Sequence, residues 1–152
     1  MKLSSTYTTL AVLPALAVAQ LTGSVGPTTT TAEKAAVKIC NILDYNGTAD
    51  ATFDNGPAIS AAWDACKTGG QVHIPAGDYG MATWATLSDG DGVSINLDGT
   101  IYRTGTDGGH MFWIENTTDF ELYSSTSKGA IQGYGYEFHK GQSCDAGMKC
   151  TH

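Results

Sequence analysis

Residues Cys40 to Tyr79 read C-N-I-L-D-Y-N-G-T-A-D-A-T-F-D-N-G-P-A-I-S-A-A-W-D-A-C-K-T-G-G-Q-V-H-I-P-A-G-D-Y, and this stretch decides the fold. It parses as a short strand over Asn41 to Tyr45, a polar loop, one amphipathic helix, a Gly-Gly stop, and a second strand closed by Pro-x-Gly. Pro57 suits the first helical position, and Asn55 or Asp54 can cap it. Ile59, Ala62, Trp63 and Cys66 fall at i, i+3, i+4 and i+7, so one helical face is apolar and has to be buried.

Outward from there the chain divides unevenly. In residues 1–19, Lys2 gives a positive start, Leu10 to Val18 an apolar run, and Ala17-Val18-Ala19 a small-residue cleavage site, which together predict a secretory signal peptide. The run is too short to span a bilayer, so no membrane anchor is expected. Residues 20–39, with Gly26-Pro27 and the run Thr28 to Thr31, lack an apolar period and read as an extended arm open to O-glycosylation. Asn46-Gly47-Thr48 and Asn116-Thr117-Thr118 are N-glycosylation sequons, which places Asn46 and Asn116 on exposed turns.

After Tyr79 the pattern becomes short strands between turn signals: Trp84 to Leu87, Val93 to Leu97, Thr100 to Arg103, Met111 to Ile114, Phe120 to Tyr123, and Ala130 to Gln132. The continuously apolar Met111 to Ile114 predicts burial on both faces. The strands at Val93, Met111 and Ala130 begin about 18 residues apart, which favours stacked coils of roughly 20 to 30 residues over hairpins.

The chain has 19 glycines, 15 acidic residues and 8 basic ones. Removing residues 1–19 takes away Lys2 alone among the charges, leaving 15 against 7 and a formal charge of minus 8. That balance argues against nucleic acid or anionic membrane as a partner, and a polyanionic substrate would need a locally basic cleft or an acidic medium. Four cysteines on a secretory route suggest disulfides, with three pairings open. Cys144 and Cys150 make a poor metal site, since only His139 and His152 lie near them in sequence.

The segments C-N-I-L-D-Y, G-P-A-I-S-A-A-W-D-A-C-K-T-G-G, I-P-A-G-D-Y, L-D-G-T-I-Y-R-T-G-T and T-T-D-F-E-L-Y-S-S-T-S-K-G-A-I-Q-G-Y-G-Y, with the upstream L-T-G-S-V-G-P, closely resemble the N-terminal third of fungal rhamnogalacturonan hydrolases within family 28 of the glycoside hydrolases. The resemblance runs from about Gln20 to about Lys140. It implies an all-β, right-handed parallel β-helix of the pectin lyase-like kind, with residues 40–141 as its N-terminal coils and the short α-helix covering their open end. It also implies a secreted, extracellular protein, a disulfide between Cys40 and Cys66 tying the helix end to the first strand, and inverting endo-hydrolysis of pectic rhamnogalacturonan without a cofactor.

An inverting glycosidase sets a general acid against a general base roughly 6.5 to 9.5 Å apart. In family 28 these come from aspartates on neighbouring coils, including an adjacent Asp-Asp pair that this chain lacks. The nearest approach, Asp89-Gly90-Asp91, reads as a solvated turn, so no catalytic residue is carried over. His110 reads as a turn histidine, His73 as exposed on a strand, Arg103 as a structural strand-end arginine, and Glu115, Asp119 and Glu121 as solvated corners. Residues 142–152, Q-S-C-D-A-G-M-K-C-T-H, diverge from the pattern, which leads to the expectation of a truncated member, inactive alone and prone to self-association through its last coil. The alternative is a non-catalytic secreted β-helix fragment that binds cell-wall polysaccharide. A lyase on the same fold would need calcium-binding acidic residues and a basic catalytic residue on the mid-helix coils, and the close match of these segments to the hydrolases argues against it.

Overall fold

The computed structural model describes residues 26–135. The expected signal peptide, Cys144, Cys150 and the divergent tail lie outside the described residues. The elements run α1 (Thr31–Val37), β1 (Ile39–Asn41), a 3-10 turn (Ile42–Tyr45), α2 (Gly56–Cys66), β2 (Gln71–Ile74), β3 (Asp78–Met81), β4 (Ala85–Ser88), β5 (Ser94–Leu97), β6 (Thr100–Arg103), β7 (Phe112–Glu115), β8 (Glu121–Tyr123) and β9 (Ala130–Gln132).

Each ladder is parallel, and the strands form three sheets ordered β1-β2-β5-β8, β3-β6-β9 and β4-β7. The chain therefore visits the sheets in rotation: β2, β3, β4, then β5, β6, β7, then β8 and β9. Gln71 pairs with Ser94 and Ser94 with Glu121, so successive circuits are 23 and 27 residues long at this point. The 18-residue spacing noted in the sequence is not the repeat. It compared β5, β7 and β9, which belong to three different sheets.

The register lines apolar residues up in columns. Cys40, Val72, Ile95 and Leu122 form one, Tyr79, Ile101 and Ile131 another, and Leu87 with Ile114 a third. Each side chain covers the one before it, a sheet version of knob stacking that suits branched side chains on a pleated surface.

Helix α2 starts as its residues dictate, with Pro57 in its first turn. The cap is made by Asp54, whose Oδ1 accepts the Gly56 N–H at 3.1 Å. Asn55 turns inward, accepting from Thr48 N and donating to Phe53 and Gly80 carbonyls. Ile59, Ala62, Trp63 and Cys66 are all buried, and α2 packs on β1 and β2 of one sheet and β4 of another. It thereby closes the gap between two sheets at the first circuit. Gly56 is required there because a Cβ would stand 2.0 Å from the Thr83 carbonyl oxygen. Cys40 and Cys66 are joined by a disulfide across a sequence separation of 26.

Three local readings change. Only Asn41 of the expected Asn41 to Tyr45 strand stays extended; the rest winds into the 3-10 turn, with Asn41 Oδ1 capping Leu43 N–H. Within the expected arm, α1 forms because Thr30 and Glu33 make a reciprocal capping box. Met111 to Ile114, most of which forms β7, is not buried on both faces: Trp113 is 47% and Ile114 39% exposed. The reason is position, since β7, β8 and β9 are the outermost strands of their sheets. Each inner partner is buried and each outer one open: Leu87 0% against Ile114 39%, Ile95 4% against Leu122 50%, Ile101 0% against Ile131 43%.

Candidate functional site

Asp89-Gly90-Asp91 lies in the turn between β4 and β5. Asp91 sits between Thr68 and Thr118 in two isolated parallel bridges, and its Oδ1 accepts the Thr118 hydroxyl at 2.7 Å. Asp89 is exposed at φ 58°. The pair shapes a corner: Asp91 lines an open concavity with Thr68, Thr118 and Asp119, and Asp89 does not reach it.

Three other aspartates are held far more tightly; the sequence pointed to a role for Asp54 alone, as a helix cap. Asp98, in the turn after β5, is 8% exposed. It accepts hydrogen bonds from Ser124 Oγ (3.0 Å), Ser125 Oγ (2.7 Å), Thr126 N (3.0 Å) and Thr126 Oγ1 (3.0 Å). Burial works against its charge, but the donors from Ser125, Thr126 and Ser124 overcome it and hold the carboxyl well below the usual carboxylate range. Asp54 follows the same balance: burial raises it, while donors from Thr83, Ala82 and Gly56 win and lower it. Its bonds to Thr83 Oγ1 (2.6 Å) and Ala82 N (2.9 Å) pin the loop before β4 to the start of α2.

Asp119 is the clasp of the N-terminal segment, not a solvated corner. It accepts from Thr28 N (2.8 Å) and Thr29 N (3.0 Å), and from the hydroxyls of both threonines. The Thr29 hydroxyl is the main reason its carboxyl stays well below the usual range, with Thr28 adding to it against desolvation. Lys34 of α1, only 1% exposed, reaches the Asp119 carbonyl at 2.7 Å, its Oδ1 at 3.4 Å and Glu121 Oε2 at 2.9 Å. The sequence signal was available in Thr30-x-x-Glu33, which announces a helix and so positions Lys34 four residues after Thr30.

The remaining candidates are structural too. His73 is half-buried rather than exposed, with Nε2 3.6 Å from Asp98 Oδ2. The Arg103 guanidinium lies 5.0 Å from the Trp84 ring centroid and donates to the Gly105 and Asp107 carbonyls, so it closes the turn after β6. The His110 ring sits 4.9 Å from that of Trp113, whose Nε1 donates to Glu115 Oε2 at 2.8 Å. Asn46 and Asn116 are both exposed, at φ 66° and 49°.

Chemically, a general acid needs a carboxyl raised toward the working pH and a general base one free to take a proton. The tightly held carboxylates, Asp98 buried and Asp54 and Asp119 half-buried, are lowered by their many donors, so they organise turns. Among the described residues no cluster of three or more His, Cys, Asp or Glu could hold a metal ion. None of the described helices is long and apolar enough to cross a membrane. An apolar concavity of about 50 Å³ opens between the sheets at the outer end, lined by Ile95, Leu97, Ile101, Ile114, Leu122 and Ile131 among others.

No protein-family model matches the chain. Curated relatives do. A rhamnogalacturonase A of Emericella nidulans is 59% identical over 87% of this chain and 26% of its own length. A probable rhamnogalacturonase B of Aspergillus oryzae is 55% identical over 90% of this chain and 26% of its own. The rhamnogalacturonase A of Aspergillus niger is 58% identical over 86% and 29% respectively. The chain thus spans about a quarter of the length of the relatives it matches. Similarity this high, over 86–90% of the chain, places the chain in the family of the rhamnogalacturonases A and B.

Proposed function

We propose that this chain supplies the opening circuits of a right-handed parallel β-helix belonging to a secreted family 28 glycoside hydrolase that cleaves pectic rhamnogalacturonan. The observation that carries this is the gradient of exposure along the stacked columns. Interior side chains are sealed at the α2 end and open at Ile114, Leu122 and Ile131. A stack of this kind gains its stability from neighbours on both sides, so the open face is built to receive another circuit. The family's inverting chemistry needs two opposed carboxyls. The carboxylates buried in these circuits are committed to turns, which supports catalytic aspartates lying on circuits outside these residues. The role of this part is to start, cap and align the stack on which the pectic chain is bound and cut.

The test is a chimaera in which this chain replaces the matching stretch of the Aspergillus niger rhamnogalacturonase A. The chimaera should release reducing ends from rhamnogalacturonan while the 152-residue chain alone releases none. Cleavage by the chain alone, or a folded chimaera without activity, overturns the proposal.

A further inference from the structure

Trp113 is an exposed indole held in one place. It projects from the outer face of β7 beside Thr86, its Nε1 is fixed to Glu115 Oε2 at 2.8 Å, and the His110 ring lies 4.9 Å away, yet 47% of the residue remains open. A large, fixed, half-open indole of this kind offers a flat apolar face with a polar edge, the surface that a sugar ring can stack on. Three residues downstream is Asn116, exposed in the turn at φ 49° and followed by Thr117-Thr118. Three residues of extended chain cover about 10 Å, a length that an asparagine side chain and one pyranose ring can bridge.

We propose that Asn116 carries an N-linked glycan whose first N-acetylhexosamine lies with its apolar face on the Trp113 indole. In the transfer, the Asn116 amide nitrogen attacks the anomeric carbon of a polyprenyl-diphosphate-linked oligosaccharide. A C–N bond forms, the C–O bond to the diphosphate breaks, and the amide proton is lost to a base. Transfer precedes closure of this part of the fold. In the finished structure the Thr118 hydroxyl, which the transferase must engage, is bound to Asp91 Oδ1 at 2.7 Å. The Thr118 N–H is on the Gly90 carbonyl and its carbonyl accepts from Gly92. Once sugar is attached, the indole supplies a flat apolar partner and the stacked ring shields the most exposed aromatic surface of β7 from water.

The proposal needs passage through the secretory route but nothing of pectin chemistry, and the Asn46 sequon reports that passage separately. The full chain is secreted from a eukaryotic host and its glycopeptides analysed by mass spectrometry. Sugar on both asparagines is expected; sugar on Asn46 alone, or on neither in the secreted chain, overturns this proposal, and a chain that is retained and not secreted overturns the secretory reading. The stacking is then read in Thr48→Ala, which removes the other sequon but keeps Asn46. Trimming the Asn116 glycan to its first residue should leave the thermal midpoint unchanged. Removing that residue as well should lower it by about 4 °C and shift tryptophan emission to the red. Asn116→Asp, the product that full removal leaves, is the unglycosylated reference. Trp113→Phe should retain the difference and Trp113→Ala should abolish it without loss of occupancy. An equal drop in Trp113→Ala overturns the stacking.

Discussion

Asp98 accepts four hydrogen bonds from Ser124, Ser125 and Thr126, joining the turn after β5 to the turn one circuit later. Asp98→Asn keeps the shape but converts charge-assisted bonds to neutral ones and places an amide where donors converge. The expected cost is roughly 1 to 3 kcal/mol in urea unfolding, and an unchanged midpoint would contradict the assignment. The sign with pH follows. Asp98 is lowered in the folded chain, so its stabilisation is fully present above its unfolded value of about 4 and is lost as pH falls toward the folded value. Stability of the parent chain should therefore fall below about pH 4, and Asp98→Asn should fall less steeply there. Parallel profiles would show that other carboxylates set the acid limit.

At the scale of elements, α1 depends on its anchors. It is 7 residues long, far too short to persist alone, and is kept by the Thr30–Glu33 box and by Lys34 in the Asp119–Glu121 pair. Removing one partner of a buried ion pair leaves the other uncompensated. Lys34→Ala should release the segment before β1, so limited proteolysis cuts within residues 28–38 well before global unfolding. Resistance equal to the parent chain would mean that the threonine bonds to Asp119 suffice. By contrast, α2 rests on Trp63, which is 1% exposed and donates to the Ser88 carbonyl at 3.0 Å, and on the disulfide. Closing a loop of that length is worth roughly 3.5 kcal/mol in the chain-entropy account, so mild reduction should lower the unfolding midpoint without removing α2. No change on reduction would count against a closed Cys40–Cys66 bond.

For the whole molecule the open face dominates. Ile114, Leu122 and Ile131 present apolar surface beside strand edges that have no partner among the described residues, a combination that templates further pairing. The 152-residue chain alone should associate in light-scattering chromatography, and Leu122→Glu with Ile131→Glu should reduce that association while leaving the thermal midpoint within a few degrees. A sharp monomer peak from the parent chain at high concentration would sink this.

The residues alone determined α2, because Pro57 and the Ile59, Ala62, Trp63, Cys66 spacing are local and allow one buried face. They also determined most of the short strands; β6 and β9 match the expected limits. They did not reveal β3, where Gly80 interrupts the apolar pattern and the strand exists through its pairing with β6. Nor did they show that His73 and Asp98, or Lys34 and Asp119, are neighbours, since stacking brings the first pair together one circuit apart, α1 folds back across 85 residues to meet Asp119, and no local pattern records either. Which apolar strand is sealed and which is open was likewise decided by tertiary structure. Phe112 to Glu115 has a core-like composition, and only its place at the outer edge of its sheet leaves it in water.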